Sequence, residues 1–214
     1  MRPDAAPAEV RDWVRQHLDP LEAHGTERPH RSDFDLNPEM APKGDAALTP
    51  AAVLVTLVER EEGLSVLLTR RSDTLRRHTG QIALPGGRMD AGETPWEAAL
   101  REAEEEIGLA RDLVEVAGLS TPYHTGTGYL ITPVVGFVTP PIELSPNPQE
   151  VAEIFETPFG FLMDPANHEQ RYYDMPDGAR RWFYAMTYEE RMIWGATAGM
   201  LRALYDRLYG AAVA

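Results

Sequence analysis

Cysteine is absent from the 214 residues. That excludes a disulfide frame, a thiolate zinc site and a cysteine nucleophile, and it suits a reducing compartment. No apolar run approaches the roughly 20 residues that a membrane-spanning helix needs. The opening stretch MRPDAAPAEVRDWVRQHL lacks the apolar centre of a secretion signal and has the spacing of a short amphipathic helix. A cytoplasmic protein without membrane contacts is the expectation. Bases are scarce as well: 20 Lys and Arg face 34 Asp and Glu, for a formal charge of −14. Such a field repels nucleic acid and anionic lipid, so neither is an expected partner. An anionic small molecule needs help from local arginines or from a cation.

The remaining composition, 43% hydrophobic, is enough for the core of one decorated domain. Asp19–Pro50 is rich in Pro, Gly, Asp and His and reads as a loop wrapped around the domain or as an arm. AAVLVTLVER, from Ala51, and LSVLLTR (Leu64–Arg70) are β-branched runs separated by a turn at Glu61–Gly63, and so read as strands. LVEVAGLS, YLITPVVGFV and RRWFYAMTY read as strands too, with Pro133 suggesting an edge position or a bulge. QEVAEIFETP is ambiguous, and Met192–Tyr209 has the spacing of a closing amphipathic helix. A mixed sheet between helices, in an α/β/α layering, is the expected class.

Four glutamates crowd into LREAEEEIGL (Leu100–Leu109). The helix that carries them is well punctuated. Thr94 can cap, Pro95 suits the first turn, Glu97 completes a capping box and Gly108 supplies the stop. Trp96, Ala99, Leu100, Ala103 and Ile107 make a single apolar stripe that must face the sheet. Glu102, Glu105 and Glu106 stand at i, i+3 and i+4, so their carboxylates are expected on one side, whereas Glu104 points elsewhere. Like charges at that spacing repel unless Arg101 and a divalent cation offset them. Hard carboxylate oxygens suit Mg²⁺ or Mn²⁺. Taken alone, the run is equally an exposed acidic face with no metal.

The residues before the helix decide between those two. GRMDAGETPWEAALREAEEEIGL, Gly87–Leu109, resembles the Nudix box: Gly, five residues, Glu, seven residues, Arg-Glu, an aliphatic residue, any residue, Glu-Glu, any residue, Gly, aliphatic. Ala103 stands where a larger aliphatic is usual. The resemblance implies the Nudix fold, an α+β arrangement with a mixed sheet sandwiched between helices. It also implies cleavage of a diphosphate by water with metal assistance. Residues 1–48 would then form an N-terminal helix and wrapping loop, and 49–214 the Nudix hydrolase domain. Glu102, Glu105 and Glu106 would carry Mg²⁺ or Mn²⁺, joined by a backbone carbonyl at Gly86 or Gly87. Arg101 would orient a glutamate, and Glu93 would hold the loop or contribute to the site. Candidates for the general base are Glu105, Glu150 and Glu153.

Just upstream, LLTRRSDTLRRHTGQIALPGG (Leu67–Gly87) places Arg70, Arg71, Arg76, Arg77 and His78 within nine residues. It resembles the second signature of the coenzyme A pyrophosphatase branch of the same family, with Leu84 in place of the usual Phe. The two signatures cover about a fifth of the chain. The branch implies hydrolysis of CoA or a derivative to adenosine 3′,5′-bisphosphate and 4′-phosphopantetheine. Arg70, Arg71, Arg76 and His78 are the expected substrate-binding residues, with Arg71 and Arg76 the choice for the 3′-phosphate. Tyr123, His124 and Phe155 are candidates for lining a pantetheine groove, while Tyr172, Trp182 and Tyr184 are expected to be sheet packing. Other diphosphates, such as ADP-ribose or a dinucleotide, and a binding module without catalysis are the alternatives. The sequence leaves room for a homodimer.

Overall fold

The eight residues that follow Pro50 are all buried, and they alternate between two cores. Ala52, Leu54 and Val58 enter one, and Val53, Val55 and Leu57 the other. A strand covered on both faces belongs at the centre of a sheet, which is why this stretch reads as a continuous apolar run. The computed structural model describes residues 5–25, 30–42, 44, 47–73 and 79–210. In chain order its elements are α1 (Pro7–His17), β1 (Arg31–Ser32), β2 (Thr49–Arg60), β3 (Gly63–Arg71), β4 (Ile82–Ala83), β5 (Gly86–Arg88) and α2 (Pro95–Ile107). They continue with β6 (Glu115–Leu119), β7 (Tyr123–His124), β8 (Tyr129–Val138), β9 (Val151–Pro158) and α3 (Phe159–Leu162). The chain closes with β10 (Glu169–Asp174), β11 (Arg180–Tyr188), β12 (Arg191–Trp194) and α4 (Ala196–Tyr209).

The main sheet is mixed. Its path runs β1-β7-β8-β2-β3-β4, with β5 also on β2, β6 on β8 and β9 on β3. The central β2 pairs parallel with β8 and antiparallel with β3 and β5. Helix α2 covers one face through Ala98, Ala99, Ala103 and Ile107. On the other face, α1, α3 and α4 contribute Val14, Phe159 and Leu201, together with Met186 and Ile193 from a second, three-stranded sheet, β10-β11-β12. This is the expected layering of a mixed sheet between helices. Among the described residues no helix is long and apolar enough to cross a membrane.

Three local expectations change. Met192–Tyr209 is not one helix: Met192–Trp194 pair with β11, and Gly195, at φ 64°, turns the chain into α4. Pro133 lies in the interior strand β8, not at an edge. Its carbonyl accepts from Ser120 N, on the side where the neighbouring strand changes from β6 to β7, so the missing N–H falls at a break in the ladder. The ambiguous QEVAEIFETP supplies β9, antiparallel to β3.

The segment ahead of β2 is tied to the sheet. Asp19 bridges to Leu119, and β1 runs parallel to β7. Asn37, 1% exposed, donates to the carbonyls of Asp33 and Trp182 and accepts from Trp182 N. One buried amide thus stitches the arm to the second sheet.

Candidate active site

Helix α2 sets the geometry. Thr94 and Glu97 form the reciprocal capping box, Pro95 opens the first turn and Gly108 closes the helix at φ 68°. Ala103 is buried, and as a small residue it lets the helix lie close on the sheet. With the apolar side so fixed, Glu102 reaches Gly87 and Glu106 reaches Gly86, while Glu105 stays exposed beside Arg101. Glu104 turns away and pairs with Arg111 at 2.7 Å.

Arg101 organises the cluster. Its guanidinium donates to Glu93 through Nε and Nη2 at 2.8 and 3.0 Å, to Glu102 at 2.8 Å, to Glu105 at 3.3 Å and to the Arg88 carbonyl at 3.1 Å. Glu93 also accepts from Asp90 N at 2.9 Å, which closes the loop onto the helix. Hydrogen bonding to Arg101 holds the Glu93 carboxyl below the usual range. Arg101 therefore positions three glutamates where one was expected.

The three expected ligands differ in setting. The Glu102 carboxylate is packed so closely on Gly87 that a Cβ there would sit 2.5 Å from it. Glu105 is the open one, its side chain 56% exposed. Glu106 is buried, 4% exposed, and accepts from Gly86 N at 3.2 Å. Burial pushes the Glu106 carboxyl up to about 7, against the pull of Gly86 N–H and Arg71; Glu102 and Glu150 push it further. Burial likewise holds Glu102 above the usual range, opposed by Arg101 and supported by Glu105 and Glu150. The expected convergence is thus partial. Glu102 and Glu105 share Arg101, Glu106 lies deeper, and among the described residues no three acidic or histidine side chains are gathered closely enough to enclose an ion. For Gly86 the group in contact is its N–H rather than its carbonyl.

A cleft of about 590 Å³ lies against this cluster, with Gly86, Gly87, Arg88 and Arg71 on its wall. Arg71 sits where β3 loses register with β9, and among the described residues its buried Nε has no hydrogen-bond partner. Its charge acts on Glu106, so it lies on the part of the cleft nearest the acid cluster. Arg70 is not on the wall; it pairs with Asp73 at 3.1 Å and Glu153 at 3.7 Å. Strand alternation explains the difference, since neighbouring residues face opposite ways. Arg76 and His78 lie outside the described residues. Of the candidate bases, Glu150 acts electrostatically on Glu102 and Glu106, whereas Glu153 is held by Arg191 at 2.6 Å.

Tyr123 lines the cleft, but His124 and Phe155 do not: His124 packs on Phe34 and Phe155 lies under Arg191. Trp182 packs on Tyr172 within the second sheet, Tyr184 lies under Arg202 of α4, and both also reach the cleft. Sequence reasoning missed Asp33, Arg88 and Arg181. The first comes from the arm and the last from the second sheet, so no local spacing announces either.

A NUDIX domain model matches residues 48–178. Two curated relatives are named uncharacterized Nudix hydrolase NudL. The protein from Escherichia coli O7:K1 is 42% identical over 72% of this chain and 80% of its own length. That from Photorhabdus laumondii is 40% identical over 74% and 84%. Among solved structures, the Nudix hydrolase RenU from M. smegmatis is 29% identical with a TM-score of 0.44, covering 50% of this chain and 69% of its own. A domain match over more than half of the sequence and relatives this similar show that the chain belongs to the Nudix hydrolase family.

Proposed function

We propose that the protein hydrolyses the diphosphate of coenzyme A, or of a CoA derivative, to adenosine 3′,5′-bisphosphate and 4′-phosphopantetheine. The observation that carries this reading is the meeting of the two signature segments in one cleft. Arg71, from Leu67–Gly87, and Gly87 and Arg88, from Gly87–Leu109, line it together, and the charge of Arg71 acts on the buried Glu106.

The chemistry of the donors suits a divalent cation, although their side chains are not gathered around one point. Burial and mutual repulsion hold Glu102 and Glu106 above their usual range, so an added positive charge is what these hard oxygens lack. Mg²⁺ or Mn²⁺ on Glu102, Glu105 and Glu106 would neutralise the meeting of acid cluster and diphosphate and act as a Lewis acid. The chain's own residues do the positioning. Arg101 fixes Glu102 and Glu105 against the loop, and Gly87 leaves room for the Glu102 carboxylate. Arg71, on the cleft wall, offers its guanidinium to a diphosphate oxygen. Water attacks one phosphorus, the bridging P–O bond breaks, and the proton of the water passes to a carboxylate. Glu105, whose Oε1 has no partner among the described residues, and Glu150 are the acceptors placed for it.

The test is product analysis after incubation with CoA and Mg²⁺ or Mn²⁺, with 3′-dephospho-CoA alongside. Adenosine 3′,5′-bisphosphate and a preference for CoA are expected. Equal turnover of the two substrates, or none of either, refutes the assignment.

A further inference from the structure

Among the described residues the cleft has a third arginine besides Arg71 and Arg88, and it comes from the second sheet. Resting on the function proposed above, we infer that one face of the second sheet seats the purine and the 3′-phosphomonoester, with Arg181 recognising that phosphate.

The face is defined by register. Tyr173 stands opposite Arg181, Arg171 opposite Phe183, and Ala185 opposite Trp194, so strand alternation puts Tyr173, Arg181, Phe183 and Trp194 on the same side. All four line the cleft. The rings form a ladder across the three strands, with centroids 6.0 Å apart from Tyr173 to Phe183 and 5.3 Å from Phe183 to Trp194. Tyr173, on the edge strand β10, is 40% exposed. An open row of π-faces inside a catalytic cleft offers a flat heteroaromatic base the stacking it prefers.

Arg181 supplies the charge. Among the described residues its one ionic partner is Asp33, at 3.6 Å, beyond hydrogen-bonding range. Asp33 is already served at shorter distance by Tyr123 Oη at 3.0 Å and Gly126 N at 2.7 Å. The carboxylate thus steers the guanidinium without using its N–H groups, which remain free for a phosphate. Gly126 makes the posture possible, since a Cβ there would lie 2.5 Å from Arg181 Nη2. The cleft therefore carries three cationic side chains, Arg71, whose charge acts on Glu106, Arg88 beside Gly87, and Arg181 on the face that bears the rings. A substrate with a diphosphate, a base and one separate phosphate uses all of them. The pantetheine arm has neither ring nor phosphomonoester, and it has no claim on this wall.

The experiment is calorimetry of the full chain with adenosine 3′,5′-bisphosphate and with AMP, neither of which contains a scissile diphosphate. Wild type is expected to bind the bisphosphate roughly 10- to 100-fold more tightly than AMP, the scale of a charge-assisted contact. Arg181→Gln should erase that advantage, Arg181→Lys should restore part of it, and Phe183→Leu should weaken both nucleotides. Equal binding of the two by wild type overturns the inference, and so does an advantage that survives in Arg181→Gln or is absent from a folded Arg181→Lys. If CoA is not cleaved but the Arg181-dependent advantage is present, the proposed function fails and the subsite stands. Cleavage of CoA without that advantage leaves the function and removes the subsite.

Discussion

Gly87→Ala separates chemistry from folding in a way few substitutions here can. Gly87 has no left-handed backbone to protect, so an alanine adopts its conformation without strain. What the new methyl meets is the end of a side chain: the Glu102 carboxylate, with its carbon and Oε1 at 2.5 Å and Oε2 at 2.7 Å. Ordinary contact needs about 3.5 Å, so the carboxylate must swing away by roughly 1 Å. That displacement loosens its hydrogen bond with Arg101 and takes it out of line with Glu106. A misplacement of about 1 Å in a positioned group costs on the order of 100-fold in rate. The fold should barely register the change. The loosened hydrogen bond costs about 1 kcal/mol, and the stiffer unfolded chain returns about 0.4–1 kcal/mol. The assay pairs metal-dependent CoA turnover with a thermal melt. A fall of about 100-fold in kcat/KM, with a melting point within about 4 °C of wild type, is expected. Gly86→Ala is the contrast. Its Cβ would lie 2.6 Å from Val53 Cα, in backbone that cannot yield, so the melt itself should drop. Turnover of Gly87→Ala within a few-fold of wild type at saturating metal would show that the Glu102 position does not matter.

Glu106 links the site to pH. Its carboxyl, pushed up to about 7 by burial, holds its proton more tightly in the folded chain than in the unfolded one. The stability it contributes is complete below about pH 4.5 and is lost as pH rises through 7, by up to about 3 kcal/mol. In chelator, Glu106→Gln should melt above wild type at pH 8 and lose that lead at pH 5, while turnover with metal falls by orders of magnitude; an equal lead at both pH values would contradict the burial of a charge. On the same helix, Glu105→Gln should cut kcat at least tenfold, whereas Glu104→Gln, which only frees Arg111, should stay within about twofold. If both variants fall alike under saturating metal, the division of the acidic face is wrong. Asn37→Ala strands the Trp182 N–H and the half-buried carbonyls of Asp33 and Trp182, so a loss of roughly 2–3 kcal/mol is expected in denaturant unfolding; no change in midpoint would mean that the arm does not hold the second sheet.

What was legible in the sequence is what short spacing encodes. The cap at Thr94, the stop at Gly108 and the buried stripe through Ala99, Ala103 and Ile107 all follow from 3.6-residue periodicity, and β2 from an unbroken β-branched run. Met192–Trp194 escaped because the helical spacing that begins at Ala196 continues backwards through Met192 and Ile193. Only pairing with β11, a tertiary contact, makes them a strand. Pro133 escaped for a related reason. A proline argues against a central position only if the ladder beside it is continuous, and here β6 gives way to β7 at that point.

The site divides along the same line. Its acids were legible because Glu102, Glu105 and Glu106 sit on one helix, where covalent spacing alone brings them near each other. The arginines were not. Arg70 and Arg71 look equivalent in a charge count, yet a half-turn of the strand commits Arg70 to Asp73 and Glu153 and leaves Arg71 on the cleft wall. Arg181 lies 94 positions beyond Gly87 in sequence yet lines the same cleft, and only the fold of β10-β11-β12 and the arm at Asp33 give it a place there. Under the proposed function, cleavage of a diphosphate would rest on local chemistry that a motif can carry. The choice of diphosphate would rest on long-range packing, so substitutions at Asn37, Asp33 or Arg181 should change substrate preference, read as the ratio of kcat/KM for CoA to that for 3′-dephospho-CoA, in a chain whose acidic helix is untouched.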